Sequence, residues 1–206
     1  MAVTPIAVEK QRWGLFGGSF DPVHLAHRAL AYSAMQELSL HRVVWVPAGQ
    51  AWQKSDRMLL AAPHRVAMLQ LMLADEPRFG IDQRELHRAG PSYSIDTVQA
   101  LKLAHPGVDW TLIIGQDQLD RLSTWHRWRE LLAEVSLGVA ARAGQGMQAS
   151  AEVRALAPRL APLAMPAMDI SSTQVRDLAS RGKDIAPMVG EKVAGYIAQH
   201  RLYSEY

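Results

Sequence analysis

The chain has 206 residues, of which 49% are hydrophobic and 20% charged, the size and make-up of one α/β domain with ample core. Lys plus Arg number 22 against 20 for Asp plus Glu, a net charge of +2, which is too slight to argue for nucleic-acid or membrane-surface binding. There is no cysteine, so disulfides and Cys-based zinc sites are excluded and a reducing cytoplasm is compatible.

No apolar run approaches the roughly 20 residues of a membrane span, and no basic segment followed by an apolar run reads as a secretion signal. Residues 1–11 are expected to be a short frayed leader, and residues 13–16 a buried first strand. Leu30, Ala34 and Leu38, with Ala31 and Met35, space a helix over residues 25–38. A strand over residues 42–46 is stopped by Pro47 and Gly49. A polar loop over residues 50–62 then holds Trp52, Lys54 and Arg57. Pro63 opens a helix at a position that tolerates proline, with Val66, Leu69 and Leu73 as its stripe. Residues 79–86 read as a strand, 92–103 as a helix, and 110–114 as a strand ending at Gly115. Residues 119–133 read as a helix in one or two pieces, and 135–140 as a strand. Residues 144–168, rich in Ala, Pro and Met, are the least legible. Helices over residues 171–180, closed by Gly182, and 187–200 end the chain. Strands alternating with helices predict a parallel sheet covered on both faces. In such sheets ligands bind beyond the carboxyl ends of the strands. The fingerprint GxGxxG is missing after the first strand, which disfavours a hydride-transfer enzyme.

Three candidate segments follow predicted strands. The first is Gly17-Gly18-Ser19-Phe20-Asp21-Pro22-Val23-His24-Leu25-Ala26-His27. Gly17 and Gly18 are expected to let the backbone turn and approach a ligand closely. The helix start beyond them offers free N–H groups to phosphate. His24 and His27, three apart, share one face of its first turn. A structural zinc site on this pair would need two further strong ligands and ranks low. The second and third segments are residues 47–57 and 115–128. Asp117, after a strand and Gly115, suits a ribose hydroxyl and a helix cap equally well. Near the other end, Ile170-Ser171-Ser172-Thr173-Gln174-Val175-Arg176 reads as a capped helix start. Its hydroxyls and the Arg176 fork could hold phosphate; a capped surface helix with a solvated arginine is the plainer alternative.

The first stretch resembles the GG[ST]FDPxHxGH signature of the nucleotidyltransferases, departing at Ala26, where the pattern has Gly. Residues 170–176 resemble the ISSTxxR motif of the same family. Pro91-Ser92-Tyr93-Ser94-Ile95-Asp96-Thr97, Ile113-Ile114-Gly115-Gln116-Asp117 and Trp125-His126-Arg127-Trp128 look like PSYTxDT, [FI]IGxD and the W[YH]xW region of bacterial nicotinate-mononucleotide adenylyltransferases. Residues 193–203 are similar to that family's ending. Ala51-Trp52-Gln53-Lys54 stands where PPHK is usual. The resemblance spans residues 12–203, with residues 144–168 an uncertain insert.

It implies a single nucleotidyltransferase domain over residues 1–206. The fold would be a Rossmann-like, doubly wound, mostly parallel sheet with a C-terminal helical segment carrying the ISSTxxR motif. It implies adenylyl transfer from ATP to nicotinic acid mononucleotide in the cytoplasm, with Mg2+ accompanying ATP, no nucleic-acid or membrane partner, and a homo-oligomer left open. Catalytic roles would fall to His24, His27 and Arg176. Gly17, Gly18, Ser19, Phe20, Gly115, Asp117, Ser171, Ser172 and Thr173 would join them in binding ATP. Gly18, Ser19, Lys54, Ser94, Trp125 and His126 would bind the mononucleotide, and Trp128 would be core. Asp21 would cap or brace the glycine loop. A transferase acting on nicotinamide mononucleotide or pantetheine phosphate, and a non-catalytic nucleotide-binding module, are the rival expectations.

Overall fold

The computed structural model describes residues 10–49, 58–141, 146–157 and 159–204. Six strands form one sheet: β1 (Arg12–Gly18), β2 (Arg42–Pro47), β3 (Phe79–Ile81), β4 (Asp109–Gly115), β5 (Ser136–Ala140) and β6 (Leu160–Leu163). Their order is β3-β2-β1-β4-β5-β6, and every pairing is parallel. The chain winds outward from β1 to β3, then crosses back to β4 on the other side of β1. That reversal leaves a crevice outside the carboxyl ends of β1 and β4.

Alternation along each strand feeds two cores, one per face of the sheet. Phe16, Val43, Trp45 and Ile113 point to one face. There they meet α1 (Leu25–Glu37), α2 (Ala62–Leu73) and α9 (Glu191–Gln199), through side chains such as Ala31, Met68 and Ile197. Leu15, Val44, Leu112 and Ile114 point to the other face. They meet α3 (Ser94–Ala104) and α5 (Trp128–Glu134), through Val98, Leu101 and Leu131. Between α3 and α5 lie α4 (Gln116–Asp120) and a short 3-10 turn, Leu122–Thr124.

Three expectations are corrected. The first strand does not end before the glycines: β1 runs through Gly17 and Gly18, which pair with Val46 and Pro47. The chain turns instead at Phe20, whose φ is 46°. The strand expected over residues 79–86 stops at Ile81, because the Asp82 carboxylate accepts the Arg84 N–H at 2.9 Å and folds the chain into a turn. The last helix is two, α8 (Ala186–Val189) and α9, divided at Gly190 with φ 79°. The illegible stretch contributes α6 (Ala151–Leu156) and the edge strand β6, where Pro162 is tolerated. The ISSTxxR segment forms α7 (Ser172–Ser180).

Candidate active site

A cleft of about 470 Å3 opens at the crevice between β1 and β4, within the usual range for small-molecule sites. Its floor is the end of β1. A methyl placed on Gly17 would meet nothing within 4 Å, so this glycine leaves its backbone bare to a ligand. A methyl on Gly18 would sit 3.0 Å from the Phe20 ring, close enough that the ring would have to shift to admit it. Ser19 and Phe20 continue the wall.

His24 and His27 stand at the start of α1 and both line the cleft. His24 is the N-cap residue, and the two imidazoles stack with centroids 3.6 Å apart and planes at 23°. The His24 main-chain N–H donates to His27 Nδ1 at 3.2 Å. With Nδ1 accepting, a neutral His27 carries its proton on Nε2, so that nitrogen is a donor. His24 is 6% exposed, and its side chain faces the His27 main-chain N–H in a capping box. Burial lowers its pKa from 6.5 to about 4, so the ring is neutral at neutral pH. His24 therefore offers an N–H dipole rather than a fixed cation.

The turn from β1 into α1 is locked by buried polar contacts. Asp21, 2% exposed, accepts the Tyr203 hydroxyl at 2.8 Å on Oδ1 and the Leu60 N–H at 3.4 Å on Oδ2. Arg176 donates to the Asp21 carbonyl at 2.6 Å and to the Thr173 hydroxyl at 3.0 Å. The Ser172 hydroxyl donates to the Pro22 carbonyl at 2.9 Å, and Ser171 caps α7 by accepting the Gln174 N–H. The two sequence motifs, some 150 residues apart, are thus bonded to each other. Ser172 lines the cleft, and Ser171, Thr173 and Arg176 belong to the same helix start without being part of that lining. Asp21 braces the loop, as expected of it.

The other wall comes from β4 and from the start of α3. Gly115, Asp117, Ser94 and Trp125 line it. Asp117 sits in the first turn of α4, where its Oδ2 accepts from Gln118 Nε2 at 2.8 Å. Trp125 keeps a buried Nε1 with no partner among the described residues, whereas Trp128 packs into the core. His126 is exposed and stacks on Tyr93 at 4.2 Å; it does not line the cleft. Lys54 lies outside the described residues.

Two residues escaped the sequence reading. Arg65, 3% exposed, donates from Nε to the Leu60 carbonyl at 2.9 Å and from its terminal nitrogen to the Ser19 carbonyl at 2.8 Å. Burial lowers its pKa, and the nearby Asp21 charge opposes that shift. Its signal was an arginine placed on the buried stripe of α2, four residues before Leu69. Glu85 lines the cleft and accepts the Thr97 hydroxyl at 2.7 Å. Burial raises its pKa, partly offset by that bond. No sequence pattern marks it.

A bare strand end, a helix start with two imidazoles and a crevice at the sheet's reversal suit a phosphate-bearing ligand. A family model described as cytidylyltransferase-like matches residues 15–178. The chain is 46% identical to the probable nicotinate-nucleotide adenylyltransferase of Methylibium petroleiphilum, over 96% of this chain and 95% of the relative. It is 42% identical to that of Bordetella petrii, over 94% and 99%. The chain belongs to the nicotinate-nucleotide adenylyltransferase family within the cytidylyltransferase-like proteins. Its fold is also that of the Plasmodium falciparum nicotinic acid mononucleotide adenylyltransferase complexed with NaAD. The TM-score is 0.78 at 19% identity, covering 95% of this chain and 98% of that one.

Proposed function

We propose that the chain transfers the adenylyl group of ATP to nicotinic acid mononucleotide, giving nicotinic acid adenine dinucleotide and pyrophosphate, a step of NAD biosynthesis in the cytoplasm. The observation that carries this is the stacked His24–His27 pair opening on a cleft between two strand ends. It occurs in a chain that matches nicotinate-nucleotide adenylyltransferases over nearly its whole length.

A phosphate oxygen of the mononucleotide attacks the α-phosphorus of ATP in line. One P–O bond forms as the bond to the pyrophosphate leaving group breaks. The nucleophile is already an anion, so no general base is needed. What the site must supply is alignment and relief of charge. The backbone of Gly17, Gly18, Ser19 and Phe20 would lie against phosphate. The His27 Nε2–H and the neutral His24 would donate to phosphate oxygens as charge moves onto the leaving group. Ser171, Ser172, Thr173 and Arg176 would hold the terminal phosphates, and Gly115 and Asp117 the adenosine. Trp125 would stack on the pyridine ring; main chain near Ser94 and His126 would face its carboxylate, with Lys54, Gly18 and Ser19 near the mononucleotide phosphate. Mg2+ would arrive with ATP and spread its charge. The two carboxylates lining the cleft, Glu85 and Asp117, accept from Thr97 and Gln118, and no group of three His, Asp or Glu side chains placed to hold a metal occurs among the described residues, so phosphates and water would hold the ion.

The test is ATP-dependent pyrophosphate release with nicotinic acid mononucleotide, nicotinamide mononucleotide and pantetheine phosphate. The highest kcat/KM is expected for the first. Release with pantetheine phosphate alone, or ATP binding without turnover on any acceptor, would overturn the assignment.

A further inference from the structure

Resting on that activity, we propose that Tyr203 is a positioning residue for adenylyl transfer: through Asp21, its hydroxyl holds the turn that aims His24 and His27. Tyr203 lies at the far end of the chain, 182 residues from Asp21, and donates to Asp21 Oδ1 at 2.8 Å with both side chains buried.

Asp21 stands three residues before the N-cap His24 and directly after Phe20, whose φ of 46° is unusual for a residue with a side chain. Such a conformation persists only where its surroundings over-determine it. The surroundings here are anchors from separate elements. Arg65 of α2 holds the Ser19 carbonyl, Arg176 of α7 the Asp21 carbonyl, and Ser172 the Pro22 carbonyl. Those three grip main-chain oxygens. The Asp21 carboxylate joins the turn to the Leu60 N–H and to Tyr203. Without the tyrosine hydroxyl, a buried carboxylate oxygen loses a donor, and the turn has a reason to shift toward another one. A shift there moves the first turn of α1 and with it the bond from the His24 N–H to His27 Nδ1. The Tyr203 ring packs separately into the core, so Tyr203→Phe deletes the link and keeps the packing.

Tyr196→Phe is the matched control. It also removes a tyrosine hydroxyl near the C-terminus, one bonded to His64 at 2.9 Å rather than to Asp21. Tyr203→Phe should lower kcat by roughly tenfold to hundredfold, as a small misplacement of reacting groups does. KM for both substrates should stay within about threefold, the pattern of an interaction that matters in the transition state. Asp21→Asn should do at least as much, and Tyr196→Phe should keep wild-type kcat. A second readout needs no turnover. Nitrogen NMR of the imidazoles should show His27 as the Nε2–H tautomer in wild type and Tyr196→Phe, and a mixture in Tyr203→Phe. The proposal is overturned if Tyr203→Phe keeps wild-type kcat and the His27 tautomer, or if both phenylalanine variants lose kcat equally. A wild type inactive on every acceptor would refute the activity instead, and the tautomer comparison would still decide the role of Tyr203.

Discussion

At the scale of single residues, burial rather than charge governs His24. His24 has a pKa of about 4 in the fold against 6.5 unfolded. The unfolded chain therefore binds the extra proton first, and stability falls as pH drops from 6.5 toward 4; below that both states are protonated and the loss stops. The cost reaches up to about 3 kcal/mol across that window. Urea unfolding of wild type and His24→Asn between pH 7 and 4 should show it as a gap that closes, because the asparagine has nothing to protonate. In the proposed mechanism His27 would act on the reacting phosphates. His27→Ala should cut turnover by roughly 10²-fold with modest change in ATP affinity, as for a donor aimed at developing charge; steady-state kinetics with both substrates varied would separate the two. The histidines were legible because their spacing and the glycines before them are local. Arg65, Glu85 and Tyr203 were not assigned roles, because each acts through a partner distant in sequence, such as the Ser19 carbonyl 46 residues from Arg65. Spacing carries no information about such pairs.

At the scale of elements, long helices and central strands could be read from the sequence, while short edge elements could not. Strands β2 and β4 are continuous apolar runs because both their faces are covered. Strand β6 has four residues and a proline, too few to establish a period. Helix α6 has six residues and failed for the same reason. The end of β1 was misjudged because glycine was read as a turn former; here the sheet pairs both glycines, and their use is space. The same idea bears on Ala26, the second residue of α1, which is 8% exposed and lines the cleft. Its methyl favours the helix and narrows the approach to the helix start. Ala26→Gly should therefore cost up to about 1 kcal/mol of stability, while kcat/KM for ATP stays level or rises. Thermal unfolding beside a kinetic assay checks both signs, and a large fall in ATP affinity would mean that the methyl makes a contact of its own.

At the scale of the whole molecule, the cleft is shared between the two faces of the sheet. The turn from β1 into α1, and α7, belong to the face of α1, whereas Ser94, Asp117 and Trp125 belong to the face of α3 and α4. In the proposed reaction that division would separate the reacting phosphates from the group that selects the acceptor. Nicotinate and nicotinamide differ by one substituent: the carboxylate only accepts hydrogen bonds, whereas the amide presents an NH2 that only donates. Main-chain N–H groups near Ser94 and His126 would satisfy the carboxylate, and one of them would face the NH2 of nicotinamide. The His126 ring is turned away, stacked on Tyr93 and exposed, which favours donors from the backbone. An unpaired donor costs about 1–3 kcal/mol, so nicotinic acid mononucleotide should be preferred at least tenfold and up to several hundredfold. Ser94→Ala and His126→Ala should keep that ratio, since neither removes a main-chain N–H. Trp125→Ala should weaken both acceptors together by removing a stacking surface on the cleft wall. The measurement is kcat/KM for both mononucleotides in wild type and the three variants. Equal use of the two by wild type would refute the selectivity, and loss of preference in His126→Ala alone would move the discrimination to the imidazole.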